Sequence, residues 1–162
     1  MILIKKSKVK YWVMKSEPSE YSIDDLKRDK KTAWTGIRNY QVRNMIRDVM
    51  KVGDKALFYH SSCKDVGVVG EMEVVSEAKP DPTQFNSKSE YYDKRSLKEN
   101  PLWLAVTIGY KATFSKLVSL ARLRTEPALK DLIILRKGNR LSITEVTKDE
   151  YERIVKIGNQ TV

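Results

Sequence analysis

His60 and Cys63 are the only histidine and the only cysteine of the chain, and they stand three residues apart. Such a pair could act as a thiol nucleophile with its base. On a regular strand, however, side chains three apart point to opposite faces, so the spacing disfavours the pair unless Ser61-Ser62 turns the chain. A buried thiol beside a hydrogen-bonded histidine, or a histidine that bonds a ligand, is the simpler reading. One cysteine and one histidine cannot supply the roughly four ligands of a structural zinc site. The same count excludes a disulfide framework and fits a reducing compartment. Asp24 and Asp25 are adjacent acids at a helix start, where they complement the helix dipole rather than form an acid–base couple. There is no P-loop, and Gly67 and Gly70 do not make a dinucleotide fingerprint. No catalytic residue, cofactor or metal is expected.

Binding chemistry is better represented. The chain has 162 residues with 31 Lys plus Arg against 21 Asp plus Glu, a formal charge of +10. A basic surface of this kind favours polyanions, either nucleic acid or an acidic membrane face. Arg38, Arg43 and Arg47 gather around one segment. Eight cations between Lys111 and Arg140, Lys137 among them, face only Glu126 and Asp131. Such groups attract phosphate with little sequence preference, although a run of charge is often no more than a solvated face. Trp34 and Tyr40 sit beside polar residues, and Tyr59 and Trp103 near the ends of apolar runs. Aromatic rings next to basic residues suit base stacking, worth about 1–3 kcal/mol per base. Taken singly, each tryptophan is better explained by a core than by a ligand, and the argument rests on the combination.

The elements that must carry these residues follow from periodicity. Hydrophobic residues make up 41% and charged residues 32%, the composition of a globular protein, and the length is that of one domain. No apolar run approaches the ~20 residues of a membrane helix. The start places a short apolar stretch before Lys5, Lys6, Lys8 and Lys10, the reverse of a signal peptide, and residues 1–9 read as a basic leader. An intracellular protein is expected, cytoplasmic in a bacterium or nuclear in a eukaryote. Tyr11–Met14 predicts a buried strand, and Ser22 caps a short helix to about Arg28. Val42, Met45, Ile46 and Val49 line one face of a helix over Asn39–Met50. Strands are expected over Ala56–Tyr59, Val66–Val75, Trp103–Thr113 and Arg140–Val146, with Gly67 and Gly70 marking a bend or a close approach. Ser119 caps a short helix, Pro127–Leu135 reads as helix turning to strand, and Thr147 with Glu150 opens a last helix to Ile157. Between Lys79 and Pro101 lies a long proline-containing loop with Phe85, Tyr91 and Tyr92, too aromatic for a plain linker. The sum is an α+β fold: a mixed, mostly antiparallel sheet that curls toward a barrel with helices outside.

Several stretches are family motifs. Tyr11-Trp12-Val13-Met14-Lys15-Ser16-Glu17-Pro18, Trp34-Thr35-Gly36-Ile37-Arg38-Asn39-Tyr40-Gln41-Val42-Arg43-Asn44 and Phe58-Tyr59-His60-Ser61-Ser62 closely resemble the EVE domain. Pro80-Asp81-Pro82-Thr83-Gln84-Phe85, Tyr91-Tyr92-Asp93 and Leu135-Arg136-Lys137-Gly138-Asn139-Arg140-Leu141-Ser142 match it as well. The resemblance spans residues 10–157 and leaves 158–162 as a tail. It implies a PUA-like fold, a curled β-barrel with flanking helices, and kinship with the YTH domain, which holds a methylated adenine in an aromatic cage. It further implies a reader of modified bases, modified cytosine favoured. By that analogy Trp34 is the cage tryptophan and Trp103 a second wall. Ser16, Glu17, Asn39, Tyr59, His60 and Ser61 would line the same pocket.

The expected mechanism has a single-stranded or extrahelical base entering between Trp34 and Trp103, with polar groups reading its edge. Arg38, Arg43, Arg47, Lys137 and Arg140 would hold flanking phosphates. Two other classes compete: an enzyme acting on a nucleobase or nucleotide with His60 or Glu17 as acid–base group, and a methyl-lysine or peptide-binding module. The +10 charge weighs against a basic peptide.

Overall fold

A computed structural model describes residues 8–160. Residues 1–7 of the leader and 161–162 of the tail lie outside the described residues. Among the described residues the main sheet has six strands: β1 (Tyr11–Ser16), β2 (Lys31–Ala33), β3 (Lys55–His60), β4 (Gly67–Val74), β7 (Thr107–Ser119) and β8 (Ile143–Val146). Their order is β2-β7-β4-β3-β1-β8. Only β1 and β3 run parallel; the other four pairings are antiparallel. Two-residue strands β5 (Lys79–Pro80) and β6 (Leu104–Ala105) form a separate ribbon. Four α-helices flank the sheet: α1 (Ile23–Asp29), α2 (Tyr40–Asp48), α3 (Leu120–Thr125) and α4 (Lys148–Gly158). The result is a curled half-barrel of the PUA-like α+β type.

The apolar run of β1 is continuous because both faces of the strand are covered. Trp12 and Met14 join Phe58, Leu26, Val42 and Ile46 in one core, beneath α1 and α2. Val13, between them, points with Leu57 and Tyr59 into a second core with Leu123, Tyr151 and Ile154 of α3 and α4. The fully buried Trp12 needs a partner for its indole N–H, which donates to Asp54 Oδ2 at 2.9 Å. Gly70 sits at a shift in register between β4 and β7. A Cβ there would collide with the Ala112 carbonyl and Ile23 Cδ1, so the close approach expected at this glycine is real.

Three expectations change. The predicted strand over Trp103–Thr113 divides into β6 and β7, because residues 104–105 pair with β5 while Trp34 N–H bonds the Val106 carbonyl. Residues 127–135 form two 3₁₀ turns, Pro127–Leu129 and Ile133–Leu135, and no strand. The last strand begins at Ile143 rather than Arg140. Strand β2 was not anticipated.

The long loop after β5 has its own polar core. Gln84, fully buried, donates from Nε2 to the carbonyls of Asp81 and Trp103 at 2.7 and 2.8 Å, and its Oε1 accepts from Trp103 N–H at 3.0 Å and from Ser96 Oγ. Asp81, also fully buried, accepts from Gly36 N–H, from Thr83 N–H and Oγ1, and from Arg38. Burial pushes the Asp81 carboxyl up, but these bonds outweigh it and hold the group below its ordinary range.

Candidate functional site

The two parallel strands end together. Ser16 is opposite His60, and Ser61 N–H bonds the Ser16 carbonyl at 3.0 Å. Beyond that point the chains must diverge, which opens a crevice at the carboxyl ends of parallel strands, a usual place for ligands in open sheets. Ser16 Oγ donates to the Tyr21 carbonyl at 2.7 Å, and the N–H groups of Glu20 and Tyr21 both reach the Glu17 carbonyl at 2.9 Å. This tight turn sets Glu17 at the rim. Ser62, on the other arm, has φ +52, a left-handed conformation uncommon outside glycine.

Trp34, 7% exposed, enters from the end of β2 and stands edge-on to Phe58 with ring centroids 5.4 Å apart. Gly36 follows at φ +88, and the Tyr91 ring lies directly on it. Tyr91 is held there by Arg38, whose guanidinium donates twice to the Tyr91 carbonyl, at 3.0 and 2.6 Å. The Tyr91 hydroxyl donates to Glu20 at 3.2 Å, and burial with nearby Glu20 and Glu90 pushes the phenol up to about 12. These residues enclose a cavity of about 600 Å³, within the range of small-molecule sites. Its walls carry Ser16, Glu17, Tyr21, Trp34, Ser61, Tyr91 and Arg140. Lys15 borders it as well, but its ammonium lies over the Tyr59 ring, and burial lowers its pKa.

Five residues expected at a site from sequence therefore meet in this cavity: Ser16, Glu17, Trp34, Ser61 and Arg140. Four others lie elsewhere. Asn39 caps α2, its Oδ1 accepting from Val42 N–H at 3.1 Å. Tyr59 is buried in the second core. His60 Nε2 accepts from Ile23 N–H at 3.2 Å, fixing α1 against β3, and burial lowers its pKa against the pull of Asp24. Trp103 is 2% exposed, stacks on Tyr40 with centroids 4.7 Å apart, and donates from Nε1 to Asp93 at 2.9 Å. It builds the loop, and Tyr91 is the aromatic residue that the loop delivers to the cavity.

The three arginines around α2 are also engaged. Arg38 pairs with Asp81 at 3.0 Å, bonds Thr83 and the Ile37 carbonyl, and lies over the rings of Tyr91 and Trp103. Arg43 donates to the Leu102 carbonyl at 3.0 Å and covers Tyr40. Arg47 pairs with Asp48 in solvent. Lys137 lines a second cavity. Glu20, Tyr21 and Tyr91 were not among the expected site residues; the loop's surplus of aromatics was the available signal for Tyr91.

Comparison with known proteins agrees with this architecture. The EVE domain family matches residues 10–157. Human thymocyte nuclear protein 1 is 37% identical over 91% of this chain and 73% of its own length. A Pseudomonas syringae protein of known structure superimposes with a TM-score of 0.87 at 41% identity, covering 91% of this chain and 98% of the other. Human THYN1 solved in complex with 5-methylcytosine containing DNA superimposes with a TM-score of 0.86 at 35% identity, covering 94% and 99%. With the family's motifs placed at one cleft and its match running almost end to end, the chain belongs to the EVE domain family.

Proposed function

We propose that this protein is a nucleic-acid reader whose cleft receives a modified base, a cytosine modified at carbon five being favoured. The observation that carries the reading is the meeting of Trp34, Tyr91, Ser16, Glu17 and Ser61 in one cavity at the ends of β1 and β3. The likeness to THYN1, solved with 5-methylcytosine containing DNA, supports it. Aromatic edges and faces supply sequence-tolerant contact. Glu17 accepts from the exocyclic amine, the pairing carboxylates make with cytosine, and Ser16 and Ser61 bond the remaining edge. Arg140 stands at the rim for the adjoining phosphate.

A buried methyl group is worth about 0.8 kcal/mol, or about fourfold in affinity. Stronger preference requires that the unmodified base leave the apolar wall poorly filled. Extruding a base from a duplex costs a few kcal/mol, so a single strand binds better than a duplex.

The test is fluorescence anisotropy with short oligonucleotides carrying cytosine or 5-methylcytosine, single-stranded and duplex, at two salt concentrations. Glu17→Gln and Ser61→Ala change the cleft without opening the core. Selective binding that both variants weaken supports the reading. Binding that ignores the modification and survives both substitutions refutes it.

A further inference from the structure

Tyr40 is the first residue of α2, and 46% of it is exposed. A large side chain standing alone on a surface needs no explanation. Tyr40 does not stand alone. Its ring stacks on the buried Trp103, which is itself fixed through Nε1 to Asp93. Arg38 lies over the same tryptophan at 5.4 Å and over the Tyr91 ring at 5.6 Å. A run of planar groups in contact therefore leads from Tyr91, at the wall of the cleft, through Arg38 and Trp103 to Tyr40 in solvent.

Arg43, nearly one helical turn beyond Tyr40, ends the run, its guanidinium 4.9 Å from the Tyr40 ring centroid. Its hydrogen bonds go to neutral acceptors, the Leu102 carbonyl and Asn44 Oδ1, so the group is held in place and none of these bonds offsets its charge. The Tyr40 ring, seated on a buried tryptophan at the start of a capped helix, is ordered before any ligand arrives, which lowers the entropy lost on binding. An ordered ring beside a held guanidinium suits a nucleobase, because aromatic side chains and arginine planes both stack on bases. The charge suits the phosphate attached to that base. Tyr92 is the contrast. It is 45% exposed, yet no ring or cation lies against it among the described residues.

We propose that Tyr40 and Arg43 form a stacking platform for a second base of the bound single strand, a few nucleotides from the base in the cleft, with the Arg43 charge drawing in the adjoining phosphate. The platform rests on the nucleic-acid part of the function proposed above and is independent of which base the cleft selects.

The experiment measures anisotropy with single strands carrying one 5-methylcytosine, in which each other nucleotide in turn is made abasic. In wild type one position stands out and costs roughly tenfold in affinity, within the worth of one base–aromatic stack. Tyr40→Leu loses about as much on the intact strand, and the abasic nucleotide at that position then costs it nothing further. Tyr40→Trp, which keeps a ring against Trp103, retains the abasic penalty. Tyr92→Leu, which removes an equally exposed ring, binds as wild type does. NMR gives a readout that needs no variant: the Tyr40 ring resonances shift on adding the intact strand and stay in place with the strand abasic at that position. Uniform abasic effects, a penalty that persists unchanged in Tyr40→Leu, or an equal loss in Tyr92→Leu overturns the proposal. A preference for 5-methylcytosine without the position-specific pattern leaves the cleft reading intact and removes the platform, assigning the exposed ring to a protein partner. If 5-methylcytosine gives no preference while the Tyr40 pattern holds, the base-reading function fails and the platform stands.

Discussion

Replacing Arg38 with methionine separates two roles for this residue. If Arg38 contacts phosphate, Arg38→Met weakens oligonucleotide binding, flattens its salt dependence and spares stability. The geometry argues otherwise. Asp81 has no exposed side-chain surface and Arg38 only 21%. The guanidinium also bonds the carbonyls of Tyr91 and Ile37 and the Thr83 hydroxyl, and it covers two aromatic rings. Removing one partner of a buried pair costs about 3–5 kcal/mol, because the other charge stays buried. In a chain of this size each kcal/mol lowers Tm by about 2–4 °C, so Arg38→Met loses roughly 6–20 °C. Circular dichroism melts and urea titration read the loss. In parallel, anisotropy at several salt concentrations gives the slope of log K against log salt. For a clamp the slope is unchanged in the fraction that remains folded. For a phosphate contact it falls by about 0.7 with single strands. A variant that melts like wild type with a reduced slope would refute the clamp and return Arg38 to the ligand.

Gly36→Ala places a Cβ 2.8 Å from Tyr91 Cζ at φ +88, so it costs roughly 1–3 kcal/mol and drives the Tyr91 ring off its seat; spectroscopic titration then finds the phenol moved down from about 12. Trp103→Ala removes the ring that Tyr40 and Arg38 cover and costs about 3–5 kcal/mol by urea unfolding, with the loop after β5 becoming protease-sensitive. His60 binds its proton more weakly in the fold than in the unfolded chain. Its contribution is therefore complete above about pH 6.5 and declines as pH falls toward the lower folded pKa, and a neutral substitute at position 60 lacks that dependence. An NMR titration midpoint above 6.5 would contradict the burial argument. Glu17 facing an amine also predicts rejection of thymine, which presents a carbonyl at the same place; the discrimination is roughly 1–3 kcal/mol in anisotropy, and equal binding of thymine and 5-methylcytosine would remove Glu17 from the edge.

What could be read from sequence was what local periodicity encodes. β1 and α2 were legible because each buries a defined set of residues: Trp12 and Met14 on one face and Val13 on the other, Val42 and Ile46 along one stripe. The caps at Ser22, Ser119 and Thr147 were legible because each depends on a donor three residues away, whereas Asn39 was read into its helix and the pocket and proves to be a cap. β2 was not, since Lys31-Thr32-Ala33 is too short to show an apolar pattern and takes its strand geometry from pairing with Thr107–Gly109, far along the chain. The site divided the same way. Ser16, Glu17 and Ser61 were implied by the family resemblance, and the structure brings them together where two strands end. Trp34 stands beside Thr35-Gly36 and Trp103 between two leucines, and their final places are tertiary: a loop closed by Gln84 and Arg38 encloses Trp103 and presents Tyr91 instead.

The distribution of charge limits what the first cleft can hold. The chain as a whole carries +10, yet the first cleft is lined by Glu17, Glu20 and Glu90 against Lys15 and Arg140. A cavity with that balance does not attract a phosphate into its depth. It favours a neutral group with amine donors, which is what a base edge offers. The phosphates attached to that base must then rest outside the acids, where cations without internal partners are available. Arg38 is excluded by its bonds to Asp81 and Tyr91, and Arg47 is paired with Asp48. Arg136, Lys137 and Arg140 stand on the one segment that borders both cavities. With acids in the cleft and cations outside it, a phosphate entering the base cleft is repelled while its neighbours along a strand are attracted.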